Sequence, residues 1–146
     1  MDPAEMARRL TVLEDIEAIK TLQHEYMACH DNLEFQRILD FFTDDAEVKV
    51  RDSGWQKGRE NFAQIFLNLQ SRRTERHDGH LVGEPVITVN GNTACARWTV
   101  YIFFSVPTID WVQGRNDCEY VKIEGRWKIS KLSFRRTLAS RPELYP

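Results

Sequence analysis

From His80 to about Leu138 the chain is written in strands, and that half limits what the rest can be. Three long runs, His80–Val89, Thr93–Phe104 and Trp111–Ile123, are rich in β-branched and aromatic residues. A fourth begins at Arg126. Asn90-Gly91-Asn92 and Glu124-Gly125 are hairpin signals, and Pro107 and Asp110 bracket a third turn. Consecutive hairpins of long strands make an antiparallel meander. Such a sheet must bury one face, and only the N-terminal segment is available to cover it.

That segment reads as helical. Asp2-Pro3-Ala4-Glu5 joins a capping aspartate, a first-turn proline and a glutamate that can reach back. Thr11-Val12-Leu13-Glu14 repeats the signal, which predicts a short helix giving way to a longer one. Leu13, Ile16, Ile19, Leu22, Tyr26 and Cys29 recur at helical spacing and predict one buried stripe. A second helix is predicted over Leu33–Phe42, ended by Thr43-Asp44-Asp45, then a short strand over Glu47–Val50. A third helix is predicted from Gly58 to about Arg72, with Phe62, Ile65, Phe66 and Leu69 on one side. Helices first and strands after give the α+β class. We expect one domain over 1–146 with its core at about 12–138. Its shape is a cone-like α+β barrel, with the N-terminal helices on the concave face of a curved, mostly antiparallel sheet. The expected core includes Leu13, Ile16, Ile19, Leu22, Phe62, Phe66, Val86, Trp98, Val100, Leu132 and Phe134.

Composition narrows the function classes. A net charge of -2 argues against nucleic acid as a partner. The one basic cluster, Arg72, Arg73, Arg76 and His77, reads as the solvated end of a helix. No apolar run approaches the roughly 20 residues that span a bilayer. The three cysteines, Cys29, Cys95 and Cys118, are odd in number and lack CxxC spacing, which fits a reducing cytoplasm better than a disulfide scaffold. The first ten residues have no signal-peptide core. His77 and His80 form H-x-x-H without a further ligand at zinc spacing, so no metal is expected. No glycine-rich phosphate loop or nucleophile elbow is present, so no cofactor is expected either.

The last strand changes phase. Trp127 and Ile129 alternate with polar residues, after which Leu132, Phe134 and Leu138 become the apolar positions. A one-residue slip of this kind predicts a β-bulge. It places Arg136 on the apolar face, where a guanidinium needs an anion, a carboxylate or a polar ligand. Tyr26 lies on the buried stripe, His30 and Asp31 end the long helix, and His80 opens the first long strand. An aspartate that orients a histidine makes a general base near neutral pH, and a tyrosine in an apolar cavity can polarise a carbonyl or protonate a leaving group. Each residue also has a plain structural reading. Tyr26 can be a core tyrosine, His80 a surface histidine, Asp31 a helix-end turn residue and Arg136 a structural pair. Spacing does not unite them: Asp31 lies about 140° around an ideal helix from Tyr26, whereas His30 sits over Tyr26.

At these residues the sequence resembles the SnoaL-like branch of the nuclear-transport-factor-2-like superfamily. LEDIEAIKTLQHEYMACHDNLEF is similar to the first helix of its dehydratases, those acting on bile acids and on scytalone. FFTDDAEV, HLVGEPVITVNGNTACARW and GRWKISKLSFRRT are similar to later segments, and the resemblance runs from about Leu13 to Thr137. It implies a catalytic tyrosine at Tyr26, aspartate at Asp31 and histidine at His80, with a substrate-binding arginine at Arg136. One feature departs from the bile-acid enzyme: its acid early in the second long strand is replaced here by Ile102.

The resemblance implies a cofactor-independent, dehydratase-like lyase acting on a small hydrophobic cyclic hydroxy or carbonyl compound. Two alternatives stay open: a non-catalytic small subunit of an aromatic-ring-hydroxylating dioxygenase, and a ligand-binding or isomerase protein of the same branch. Phe42, Trp55, Phe66 and Trp98 are expected to line the pocket beside Arg136. A homo-oligomer, dimer or trimer, is expected, without nucleic acid or membrane as partner.

Overall fold

The computed structural model describes residues 1–144. A single helix α1, Pro3–Asp31, replaces the predicted pair. Asp2 caps it by accepting from the Glu5 N–H at 2.8 Å, and Pro3 occupies its first turn. The second capping signal is not used as a start: the Thr11 hydroxyl donates back to the Ala7 carbonyl inside the continuous helix. At the far end the Glu34 N–H reaches the Cys29 carbonyl and the Leu33 N–H reaches that of His30. Leu33 is left-handed at φ 59. This is a Schellman-type ending, and it stops α1 at Asp31.

Helix α2, Phe35–Ile38, and a 3-10 turn, Leu39–Phe41, are shorter than the predicted second helix. Phe42 and Thr43-Asp44-Asp45 belong instead to strand β1, Phe42–Val50. Then come β2, Gln56–Lys57, helix α3, Arg59–Arg72, and the long strands β3, Asp78–Asn90, β4, Thr93–Phe104, β5, Asp110–Ile123, and β6, Arg126–Ala139. The chain ends in a 3-10 turn, Pro142–Leu144.

The sheet order is β2-β1-β6-β5-β4-β3. All neighbours are antiparallel except β1 and β6, which run parallel. The fold is therefore α+β, with a mixed, mostly antiparallel sheet. Against the sheet, helix α1 packs mainly on β3 and less on β6, and α3 packs on β1. Phe35, Ile38, Phe42, Phe62, Phe66, Trp98, Val100, Ile129 and Leu132 are fully buried between them.

Two expected core residues lie outside. Leu13 is 60% exposed because the first turns of α1 project beyond the sheet, and burial begins at Asp15. Val86 is 67% exposed because the β3–β4 register slips between Gly83 and Val86, with Glu84 at φ 47. That irregularity flips the side-chain phase. The bulge predicted in β6 is present: Glu119 faces Lys131, Tyr120 faces Ile129, and Ser130 is extra. A second slip, at Thr137, turns Leu138 outward, against expectation. Among the described residues no helix is long and apolar enough to cross a membrane.

Candidate active site

The end of α1, the start of β3 and the inward face of β4–β6 meet around a cavity of about 260 Å³. Tyr26, His30, His80 and Arg136 all line it, with Val100, Ile102 and Phe104 supplying an apolar wall from β4. A larger depression of about 710 Å³, near Arg59 and Lys128, contains none of these four.

Asp31 does not line the cavity. It stands beside His80, where its Oδ1 accepts from Nδ1 at 2.8 Å and from the His80 backbone N–H at 2.9 Å. The helix needs no bend for this, because β3 brings His80 to it. His30 thus faces the cavity above Tyr26, where the helical wheel puts it, and Asp31 holds His80 from the side. With Nδ1–H committed to the carboxylate, Nε2 is the ring nitrogen left as an acceptor. Burial raises the Asp31 pKa, but the hydrogen bonds and charge of His80, together with Arg76, outweigh it and leave the carboxyl below its usual range. Asp31 is therefore ionised at neutral pH.

Tyr26 is 2% exposed, and its ring meets Phe42 and Phe66 edge-on at 5.9 and 6.3 Å. Burial, with the neighbouring Cys118, raises the phenol's pKa, so it keeps its proton and can act only as a neutral donor or acceptor. Arg136 shares the inward face with Leu132 and Phe134. Its Nη1 donates to the Leu144 carbonyl at 2.7 Å, and its Nε is buried without a partner.

The expected aromatic lining is corrected in detail. Trp55 lies on the outer face of the sheet, 48% exposed, with Lys131 over its ring at 5.0 Å. Gly54 and the short β2 carry it to the edge strand, away from the cavity. Phe42 and Phe66 form a layer behind Tyr26 rather than the wall itself. Trp98 is buried deeper, where its Nε1 donates to the Tyr120 hydroxyl at 2.9 Å.

Several cavity residues escape sequence reasoning. Asn116, 1% exposed, lines the wall from β5. Arg73 also lines the cavity, where it pairs with Asp78, and Arg76 lies 3.7 Å from Asp31. The basic cluster is therefore only partly a solvated helix end. No local pattern marks Asn116, whose partners Gln23 and Ser133 come from α1 and β6, and Arg73 is hidden in a basic run although Asp78, which pairs with it, lies only five residues on. Among the described residues no three His, Cys, Asp or Glu side chains converge as a metal site would need. His77 points to Glu75 at 3.4 Å, half-exposed, while His80 is committed to Asp31.

The SnoaL-like domain family matches residues 11–133. No curated protein matches the chain. Among solved structures, a candidate scytalone dehydratase of Novosphingobium aromaticivorans is 20% identical and superposes with a TM-score of 0.78, covering 89% of each chain. Hexachlorocyclohexane dehydrochlorinase LinA-type3 of Novosphingobium barchaimii LL02 is 22% identical with a TM-score of 0.78, covering 90% of this chain and 92% of its own. An NTF2-like protein with a cystatin-like fold, also from N. aromaticivorans, is 24% identical with a TM-score of 0.76, covering 91% and 88%. At these identities the likeness concerns the fold.

Proposed function

The chain belongs to the family of SnoaL-like domains, and from that premise we propose that it is a cofactor-independent lyase of the dehydratase kind. Its substrate is a small, hydrophobic, cyclic compound bearing a carbonyl and a hydroxyl on the carbon β to it. The observation that carries this reading is the Asp31–His80 pair, with Nε2 of His80 uncommitted at a cavity that also holds Tyr26 and Arg136. The structural neighbours include proteins with lyase names, a candidate dehydratase and a dehydrochlorinase among them.

The chemistry follows from the protonation states. His80 Nε2 takes the proton on the carbon next to the carbonyl. Asp31, held ionised, stabilises the imidazolium that forms. The electron pair moves into the carbonyl to give an enolate, whose oxygen the neutral Tyr26 phenol stabilises by donating a hydrogen bond. The enolate then re-forms the carbonyl and expels the β-hydroxyl. That group leaves as water after receiving the proton from His80, which returns the imidazole to its neutral form. Arg136 anchors a polar end of the substrate. Oriented acid-base help of this kind is worth about 10²–10⁴-fold.

The test is turnover of cyclic β-hydroxy ketones, followed by the rise of enone absorbance. His80→Ala should abolish it with the fold intact. Asp31→Asn should lower it steeply while leaving binding of a neutral ligand nearly unchanged, the mark of a group that acts on the transition state. Arg136→Ala should chiefly weaken binding, by about 1–3 kcal/mol. If the parent protein processes none of these compounds and both dyad variants simply lose thermal stability, the pair is structural and the lyase reading fails.

A further inference from the structure

The wall formed by β5 and β6 carries a hydrogen-bond direction that fixes what the cavity offers a ligand. The Trp98 indole can only donate, and it donates to the Tyr120 hydroxyl oxygen. The Tyr120 proton therefore goes onward to Gln23 Oε1, 2.6 Å away. With that oxygen an acceptor, Gln23 Nε2 donates to Asn116 Oδ1 at 3.3 Å. The chain of fully buried groups thus assigns the Asn116 amide: oxygen toward Gln23, nitrogen toward the Ser133 carbonyl at 3.3 Å. Asn116 lines the cavity, and its second N–H has no protein partner among the described residues.

Arg136 stands diagonally beside it, since Asn116 pairs with Phe134 and Gly114 with Arg136. The end of the guanidinium donates from Nη1 to Leu144. That leaves the Nε–Nη2 edge, the side that matches a carboxylate with two parallel bonds. Nε is buried and unpartnered. Burial, and then the nearby charge of Arg51, lower the Arg136 pKa. Among the described residues the one carboxylate lining the cavity, Asp78, is engaged by Arg73. His80 is on β3, three strands from β6, or about 14 Å of strand spacing.

We propose that the cavity takes a ligand bearing a carboxylate, held by Nε and Nη2 of Arg136 and by Nδ2 of Asn116. The apolar body then lies along Val100, Ile102 and Phe104 toward His80. This rests on the lyase reading for the identity of the site, but it makes a separate claim about the ligand's charge and orientation.

Calorimetric titration with 2-naphthoate and 2-naphthamide tests it on the full chain. The parent protein should bind the carboxylate at least about tenfold more tightly than the amide, the worth of one charge-assisted contact. His80→Gln should keep that preference, because the dyad does not hold the charged end. Arg136→Met should erase it. Asn116→Asp, which still accepts from Gln23 but replaces the donor with a negative charge, should erase or reverse it. Equal affinity for the two probes, failure to bind either, or a preference that survives Arg136→Met overturns the proposal. Failure of the lyase reading shows separately, as a carboxylate preference in a protein without turnover.

Discussion

Two histidines meet at the cavity, and their surroundings give them opposite work. The His30 ring lies 4.9 Å from that of Tyr26 and 5.5 Å from that of His80, centre to centre. Burial first, then the charges of His80 and Arg73, push its pKa down to about 3 against the opposing pull of Asp31. His30 is therefore neutral and part of the wall, whereas His80 has the carboxylate that a base requires. The consequence for stability has a definite sign. The folded pKa lies below the unfolded value of about 6.5, so between the two the unfolded chain binds more protons. Stability from this residue is complete above about pH 6.5 and falls as the medium is acidified toward 3, by at most about 1.4 kcal/mol per pH unit. The lowered carboxyl of Asp31 acts in the same direction at lower pH, its contribution lost as pH falls from about 3.9 through the folded value. Urea titrations between pH 6.5 and 4.5 isolate His30. The parent midpoint should drop across that window, and His30→Gln should flatten the slope. An equal slope in the variant would show that another group carries it. The sequence exposed this site unevenly. Helical spacing put His30 over Tyr26, and strand phase put Arg136 inside, but the union of Asp31 with His80 depends on a contact between residues 49 positions apart, which no local pattern encodes.

At the scale of the element, β6 owes its useful shape to irregularity. The bulge at Ser130 brings Leu132, Phe134 and Arg136 onto the inner face, and Gly114 on β5 makes room for them. A Cβ on Gly114 would stand 2.3 Å from the Phe134 ring and 2.9 Å from the Arg135 carbonyl oxygen. The ring cannot stay where it is if that carbon is added. Gly114→Ala should therefore cost about 1–3 kcal/mol in urea unfolding, the usual range for overpacking. The displaced Phe134 ring, itself a cavity residue, should also weaken 2-naphthoate binding in calorimetry. A variant with parent stability and parent affinity would mean that the ring relocates without cost. The strand ends and hairpins were legible because glycine and asparagine punctuate them. The Ser130 bulge was legible because the hydrophobic phase breaks there. The slips near Glu84 and at Thr137 were not, because Val86 and Leu138 are apolar residues that end on the outer surface and so mimic continued alternation. The unity of helix α1 is hidden for a related reason: Thr11 has the residue type of a cap but bonds within the helix. Its buried stripe carries Asp15 and Gln23 as well as apolar residues, because Lys122, Trp127 and Tyr120 satisfy them.

At the scale of the whole molecule, two apolar surfaces lie uncovered among the described residues. Met6, Leu10 and Leu13 are 51%, 57% and 60% exposed and fall on one stripe of the projecting part of α1. On the outer face of the sheet Leu81 faces Tyr101, Phe103 faces Trp111, and the rings of Tyr101 and Phe103 stack at 6.0 Å. Leu81 is 60% and Phe103 48% exposed. Contiguous patches of this kind are unusual on a monomer, and they support the proposal that the chain forms a homo-oligomer. Sedimentation velocity should show a species larger than the 17.2 kDa chain, and Leu81→Lys combined with Phe103→Lys should return it to the monomer. A parent protein that sediments as a monomer at every concentration contradicts the proposal. The symmetry is open to the same measurement. If the sheet faces pair with each other, the contact is self-complementary and closes as a dimer. Substitution of the helical arm by Leu10→Lys and Leu13→Lys would then leave the assembly intact. If the arm of one copy seats on the face of another, the assembly closes either by reciprocal exchange of arms in a dimer or as a ring of three or more copies. In that case the arm variant dissociates the assembly as fully as the face variant.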